Sequence, residues 1–337
     1  MALILKSVKT VHMKKSGTLL LFFAFVFQIS SAQTFVAQGT VGNQEGLPLR
    51  YAFVYDKESK NATYTDSLGQ FRLTVKKNAQ LTISDKGYDE STVTAGDGHL
   101  NVTLKKSAAA SGKGESDADV KAVEDAFKPI HDQLTGPGIS SFGAQTFNNV
   151  KETVGSQFLF KQWVHGYIVK MNGDVIQTPA LLLNYNKMTG DLFMTENLTS
   201  VMTGDKNTIR SFVIVGPDDV QYTFEMMTGI STDHYCQVIS AGPKYKIYKL
   251  IKTKFIPSNY KTDGVYSTGN TYDEYADNYD YYVINLTTTA FQPLPLNKKS
   301  IKAIFAAEGT KAEDFVAAHK IKENDAWVKS FGDAMNQ

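Results

Sequence analysis

The sequence is short of the residues that most often announce a chemistry. A single cysteine, Cys236, in 337 residues excludes an internal disulfide framework and a multi-cysteine metal site. Thirty-five basic residues against 34 acidic ones give no global reason to expect nucleic acid as a partner. Beyond residue 32 no apolar run is long enough to cross a bilayer core of about 30 Å as a helix. What is present is ordinary globular material, 42% hydrophobic and 12% aromatic, enough for roughly two domains with cores and too much for wholesale disorder.

The first 32 residues stand apart. Lys6, Lys9, Lys14 and Lys15 are the only charges there, and they precede the apolar run 19–29, which Gln28 alone interrupts. Ser30-Ser31-Ala32 then places small residues at the third and first positions before a cut. The pattern predicts a secretory signal peptide over 1–32, started at Met1 or Met13, and a mature chain from Gln33. The run is too short for a membrane anchor. Removal takes four lysines and no acids, leaving a net charge of −3. The expectation is an exported protein in the periplasm, associated with the outer membrane or outside the cell, with no transmembrane segment after cleavage.

Residues 35–105 read as seven short strands divided by turn residues: 35–41, 51–56, 62–65, 70–75, 80–84, 90–93 and 100–104. Within Thr65-Asp66-Ser67-Leu68-Gly69-Gln70-Phe71, Asp66 can bind the turn backbone and Gly69 can take positive φ, so Phe71, Leu73 and Val75 share one face. Seven strands in so short a stretch predict a β-sandwich.

Leu47-Pro48 ahead of Ala52-Phe53-Val54, the Thr65–Phe71 turn, Leu81-Thr82-Ile83-Ser84 and then Gly87-Tyr88 resemble the carboxypeptidase regulatory-like domain. The resemblance implies a transthyretin-like seven-stranded β-sandwich and an envelope setting, since that domain accompanies zinc carboxypeptidases and outer-membrane receptors as an accessory unit. It covers about a fifth of the chain. No receptor barrel follows here, and no His-x-x-Glu pair with a distant histidine supplies carboxypeptidase zinc ligands.

Residues 106–116, rich in Ala, Gly and Ser, predict a flexible linker that lets two units move independently. Val120, Val123, Phe127, Ile130 and Leu134 then place one apolar stripe on a helix over 117–135, which Gly136-Pro137-Gly138 ends. Residues 140–296 return to strands. Asn172-Gly173 predicts a hairpin between 163–171 and 175–183, Lys187–Gly190 turns into 191–195, and Pro217-Asp218-Asp219 parts 209–215 from 221–227. Further strands are expected at 235–239, 244–255 and 281–286, paired sequentially and antiparallel. Residues 297–337 read as helices over 298–306, 312–319 and 325–335 that cover the sheet. The fold class is thus mainly β: a sandwich, a linker and short helix, then an antiparallel β-rich domain with C-terminal helices.

The search for chemistry is largely negative. Six scattered histidines form no H-x-H, H-E-x-x-H or zinc-finger spacing, and no G-x-S-x-G, G-x-G-x-x-G or phosphate-binding loop occurs, so no catalytic residue, metal ligand or cofactor is assigned. His234 and Cys236, two apart, invite a thiol–imidazole reading, but an ordinary strand accounts for them better. Five lysines over 244–254 suit an exposed edge strand kept from pairing with other chains. Asp66-Ser67-Leu68 resembles a bacterial O-glycosylation acceptor as well as a turn.

The segment 260–282 concentrates tyrosines and acids. Its rings can stack on sugars while Asp and Asn accept hydroxyl protons, its oxygens can bind Ca²⁺, and paired acids can hydrolyse a glycosidic bond; a long hairpin with rings packed across strands needs none of these. Tyr266, Tyr272, Tyr275 and Tyr279 are the candidate ligand-binding residues for a glycan or peptide. The leading expectation remains a non-enzymatic accessory protein with an envelope protein as partner, followed by glycan or peptide binding and then by a hydrolase.

Overall fold

Strict alternation of polar and apolar residues sets the first strands. The computed structural model describes residues 34–108, 153–198 and 200–337; the expected signal peptide, the helix over 117–135 and most of the linker lie outside them. Strands β1 (Thr34–Asn43), β2 (Phe53–Asp56), β3 (Asn61–Tyr64), β4 (Gln70–Lys76), β5 (Gln80–Ser84), β6 (Ser91–Thr94) and β7 (Leu100–Leu104) follow the expected segments to within two residues. They form two sheets, β4-β1-β7 and β3-β2-β5-β6, with β1 and β7 parallel and every other pair antiparallel. Val41, Phe71, Leu73 and Val102 from one sheet meet Val54, Leu81 and Ile83 from the other. The Asp66 turn works as expected. Its Oδ1 accepts the N–H groups of Leu68 (2.9 Å) and Gln70 (2.8 Å), and Gly69 sits at φ +71°, where a Cβ would strike the Val41 carbonyl.

The second part is one antiparallel sheet. Its strands are β8 (Val164–Lys170), β9 (Val175–Ile176), β10 (Leu182–Asn186), β11 (Asp191–Thr195), β12 (Met202–Thr203), β13 (Ile209–Val215), β14 (Gln221–Met226), β15 (Tyr235–Ala241), β16 (Tyr245–Ile256), β19 (Glu274–Asn285) and β20 (Phe291–Pro293). A separate hairpin, β17 (Lys261–Thr262) and β18 (Ser267–Thr268), lies between β16 and β19. The order is β12-β11-β10-β8-β13-β14-β15-β16-β19-β20, with β9 on β8. Its two ends do not pair with each other among the described residues.

Three expectations need correction. The hairpin at Asn172-Gly173 forms, but its second strand stops at Ile176 and pairing with β8 resumes only at Leu182. Pro179, which has no N–H to give, lies in the gap. Strand β19 begins at Glu274, seven residues earlier than expected, because Glu274–Asp280 pair in unbroken register with Leu250–Ile256. Strand β16 is interior, between β15 and β19, only as far as Lys249, so the edge expectation fails for Lys246 and Lys249; Lys252 and Lys254 lie beyond the last β15 pair, on a half that pairs with β19 alone. Two of its lysines are neutralised by neighbours, Lys246 by Glu225 (2.7 Å) and Lys249 by Asp325 (2.9 Å), and Lys244, just before the strand, is neutralised by Glu308 (2.9 Å).

Helices α1 (Lys298–Ile304), α2 (Lys311–Ala318) and α3 (Asp325–Asn336) cover one face of the sheet, as expected. Asn297 caps α1 through the Ser300 N–H and Asn324 caps α3 through the Trp327 N–H, both at 2.9 Å. Ile301, Phe305, Val328 and Phe331 pack on Tyr245, Ile247 and Val283.

The described residues form one compact unit. The packing departs from the expected independence of the two parts: Phe53 and Tyr64, on the outer face of β3-β2-β5-β6, are buried with Tyr167, Val169, Val213 and Val215 of β8 and β13. Tyr64 Oη donates to the Gly166 carbonyl (2.7 Å), and Tyr167 Oη donates to the Ala62 carbonyl (3.1 Å). The other face of the β8–β13 sheet closes over Tyr185, Phe212, Phe224 and Tyr235. The sandwich is therefore a layer laid on the sheet.

Candidate functional site

Two places concentrate unusual side chains, the arm made by β16 and β19 and the seam under the sandwich. In the arm, β15 pairs with only the first half of β16, so residues 250–256 depend on β19 for pairing. The turn after β10 props this distal half. Lys187, whose side chain is only 9% exposed, reaches both carboxylate oxygens of Asp277 (2.8 and 2.7 Å), Thr253 Oγ1 donates to Asp277 (2.6 Å), and the Lys187 carbonyl accepts the Thr253 N–H (3.2 Å). A buried ammonium so placed must keep its carboxylate, because removing one partner leaves a charge out of water.

The four candidate tyrosines all belong to this arm but serve different contacts. Tyr275 packs against Phe255, its cross-strand partner, with ring centroids 5.0 Å apart. Tyr279 meets Tyr281 edge-on (5.8 Å), and the Lys249 ammonium lies 4.4 Å from its ring centroid. Tyr272 is half-buried in the connection into β19. Tyr266 stands at the tip of the β17–β18 hairpin, 75% exposed, beside Val265 at 79%. Among the described residues no ring contact joins any two of the four, so they form a ladder and a tip rather than one concave floor. The tip is held open by design of its turn: the Asp263 carboxylate accepts the N–H groups of Val265 (2.9 Å) and Tyr266 (2.7 Å), which keeps it below the usual carboxylate range, and Gly264 takes φ +89°.

The seam is the feature that strand assignment alone missed. Its rim is closed by Arg50, whose Nε and Nη2 both reach Asp219 Oδ1 (2.8 and 2.6 Å) while Asp219 Oδ2 accepts the Ser67 N–H (3.1 Å). On another side Lys60 pairs with Asp174 (3.0 Å). His165 lies under the sandwich, its ring 4.6 Å from that of Tyr51; burial, with the positive charges of Lys86 and Arg50, pushes its pKa down to about 4. Asp85, in the β5–β6 loop, is pushed up to about 6 by burial. Asp85, Lys86 and Tyr88 of the sandwich and Thr178 and Glu196 of the sheet line one cleft of about 650 Å³, in which Thr178 Oγ1 donates to Glu196 (2.9 Å). The arrangement gives a carboxyl able to hold a proton near neutrality and a second acid within the same cleft.

Other candidates are quiet. Cys236 is fully buried and its thiol is pushed up to about 12 by burial, which leaves it unionised and inert. His234 Nδ1 lies 3.1 Å from Asp233 Oδ1, and Ser231 Oγ donates to Asp233 (2.6 Å) rather than to the imidazole. The triad-like sequence Ser231, Asp233, His234 therefore has its hydroxyl aimed away from the base. Among the described residues no group of three or more His, Cys, Asp or Glu could hold a metal ion, and no helix is long and apolar enough to cross a membrane. No protein-family model and no curated protein matches the chain.

A signal for the seam was present in the letters. Phe53-Val54-Tyr55, Tyr167-Ile168-Val169 and Phe212-Val213-Ile214-Val215 are apolar at consecutive positions, the pattern of strands covered on both faces. Asp85 and Glu196 lie 111 positions apart in the chain, and nothing local ties them.

Proposed function

We propose that the chain is an exported accessory module of the cell envelope, without catalytic activity of its own, that holds a protein partner through the tip of the β16–β19 arm. The N-terminal sandwich, of the carboxypeptidase regulatory-like type, acts as a brace for the sheet that carries the arm. One observation supports this reading above others: among the described residues Val265 and Tyr266 are the two most exposed large apolar side chains, on a turn fixed by three separate devices. A rigid aromatic anchor loses little freedom on binding, and burying a Val and a Tyr against a partner contributes roughly 2–3 kcal/mol each. The test immobilises residues 33–337 and compares proteins retained from a detergent extract of the envelope with those retained by a Val265→Ser, Tyr266→Ser double variant. A stoichiometric partner lost by the variant, at unchanged melting temperature, supports the reading; a partner set indifferent to the substitutions refutes it.

A second reading, a hydrolase, draws on the cleft lined by Asp85 and Glu196. An acid held up to about 6 suits proton donation to a leaving group, and a neighbouring carboxylate suits a base or nucleophile. Turnover of chromogenic glycosides that disappears in both Asp85→Asn and Glu196→Gln would establish it, and absence of turnover across a broad panel would remove it.

A further inference from the structure

A second cleft of about 290 Å³ opens on the opposite chemistry. It lies where the outer face of β1 and β4 meets the β13–β14 turn, so both parts of the chain build it: Gln38, Gln70, Arg72 and His99 come from the sandwich and Asp219 and Gln221 from the sheet. The acids bordering it are already occupied. Asp66 Oδ1 accepts two turn N–H groups, and Asp219 holds Arg50 and the Ser67 N–H. The donors are not. Arg72, with five N–H groups, has one contact among the described residues, a 3.4 Å bond from Nη2 to Gln38 Oε1, and no carboxylate partner. The amide nitrogens of Gln38 and Gln70 have none there. Gln221 gives its Nε2 to Thr63 Oγ1 (2.8 Å), which leaves its Oε1 to accept. His99 is fixed by Thr40 (2.8 Å) through Nε2.

We propose that this cleft binds a single acidic sugar ring, a uronate, alone or at the end of an acidic polysaccharide. A planar guanidinium without an internal carboxylate partner is matched to a carboxylate, which it takes as a two-bond fork. Three amides at the same mouth offer the mixture of donors and acceptors that ring hydroxyls need. The volume is at the small end for small-molecule sites and suits one ring rather than a chain lying along a groove. Because the walls come from both parts, the ligand contacts sandwich and sheet at once and adds to whatever holds them together. This inference does not depend on the arm or its partner.

The experiment titrates the full mature chain with glucuronate and galacturonate by calorimetry and saturation-transfer NMR, with glucose as the neutral ring and inorganic phosphate as the bare anion. A saturable uronate signal is expected, with glucose about tenfold weaker or more, the loss of one charge-assisted pair. Arg72→Gln should weaken uronate by about tenfold at unchanged melting temperature, and Arg72→Lys, which keeps the charge but not the fork, should fall between. Absence of saturation by either uronate up to about 20 mM, far above useful affinity, would overturn the proposal. So would glucose or phosphate binding as tightly as uronate, or an Arg72→Gln protein that binds like the parent.

Discussion

The two outer faces of the sandwich have opposite fates. On β4, Gln70, Arg72 and Thr74 alternate with Phe71, Leu73 and Val75, and the polar set stays in water. On β2 and β3, Phe53, Tyr55, Ala62 and Tyr64 face outward and are covered by β8 and β13. Both faces belong to sheets of one sandwich, and what decides between their fates is the lettering of the outward positions. A sheet with one polar face needs only a partner sheet, whereas a sheet apolar on both faces needs two. The sandwich is for that reason a middle layer on one side and a free surface on the other.

The comparison breaks most visibly at Phe53. Phe53→Ala removes a ring that contacts Tyr55, Tyr64 and Tyr167 and should cost about 3–5 kcal/mol, split the calorimetric unfolding peak in two and leave the sandwich core intact. Acid titration sharpens the contrast next. In the unfolded chain Asp85 titrates near 3.8 and in the folded one near 6, so its contribution to stability is lost as pH rises through that window. His165 runs the other way, from 6.5 unfolded to about 4 folded, and its contribution is lost as pH falls through the same range. The slopes oppose. Asp85→Asn should leave a stability that climbs from pH 4 to 6.5 and His165→Phe one that declines, each by on the order of 1–2 kcal/mol after allowance for solvent, measured as denaturation midpoint against pH.

Tyr64→Phe keeps the ring and loses only the bond to the Gly166 carbonyl, and urea melts should register about 1 kcal/mol. Arg50→Ala, at a rim where the guanidinium is partly exposed, should cost about 0.5–1 kcal/mol, less at high salt. On the uncovered face Arg72→Gln should stay within about 0.5 kcal/mol of the parent. An equal cost at Phe53 and Arg72 would erase the distinction between the faces.

Local structure was legible wherever one rule governed it. Alternation located the seven sandwich strands, Asp66 and Gly69 located their central turn, and Asn297 and Asn324 mark helix starts that the sequence placed at 298 and 325. Where two rules competed the outcome was harder to read. Tyr275 to Asp280 carry turn-forming Asp and Asn among strand-forming Tyr, and pairing with β16 decided for the strand. Lys246 and Lys249 of β16 suit an edge by composition, yet Glu225 and Asp325 arrive from distant segments to permit an interior place. Of the four tyrosines singled out, only Tyr266 lies on the proposed tip, because ring content shows affinity for flat surfaces but not which surface a ring meets.

The covered face also carries a cost in time. Tyr64 waits for Gly166 and Arg50 for Asp219, separations of 102 and 169 residues, so an N-terminal sandwich emerging first from synthesis has its aromatic side bare until β8 and β13 follow. Contacts of such span form slowly, and an uncovered aromatic sheet is a surface on which chains aggregate. Folding of the two parts is thereby ordered: the sandwich can complete its own core early, but it reaches a finished surface only when the last strands of the β8–β13 region dock.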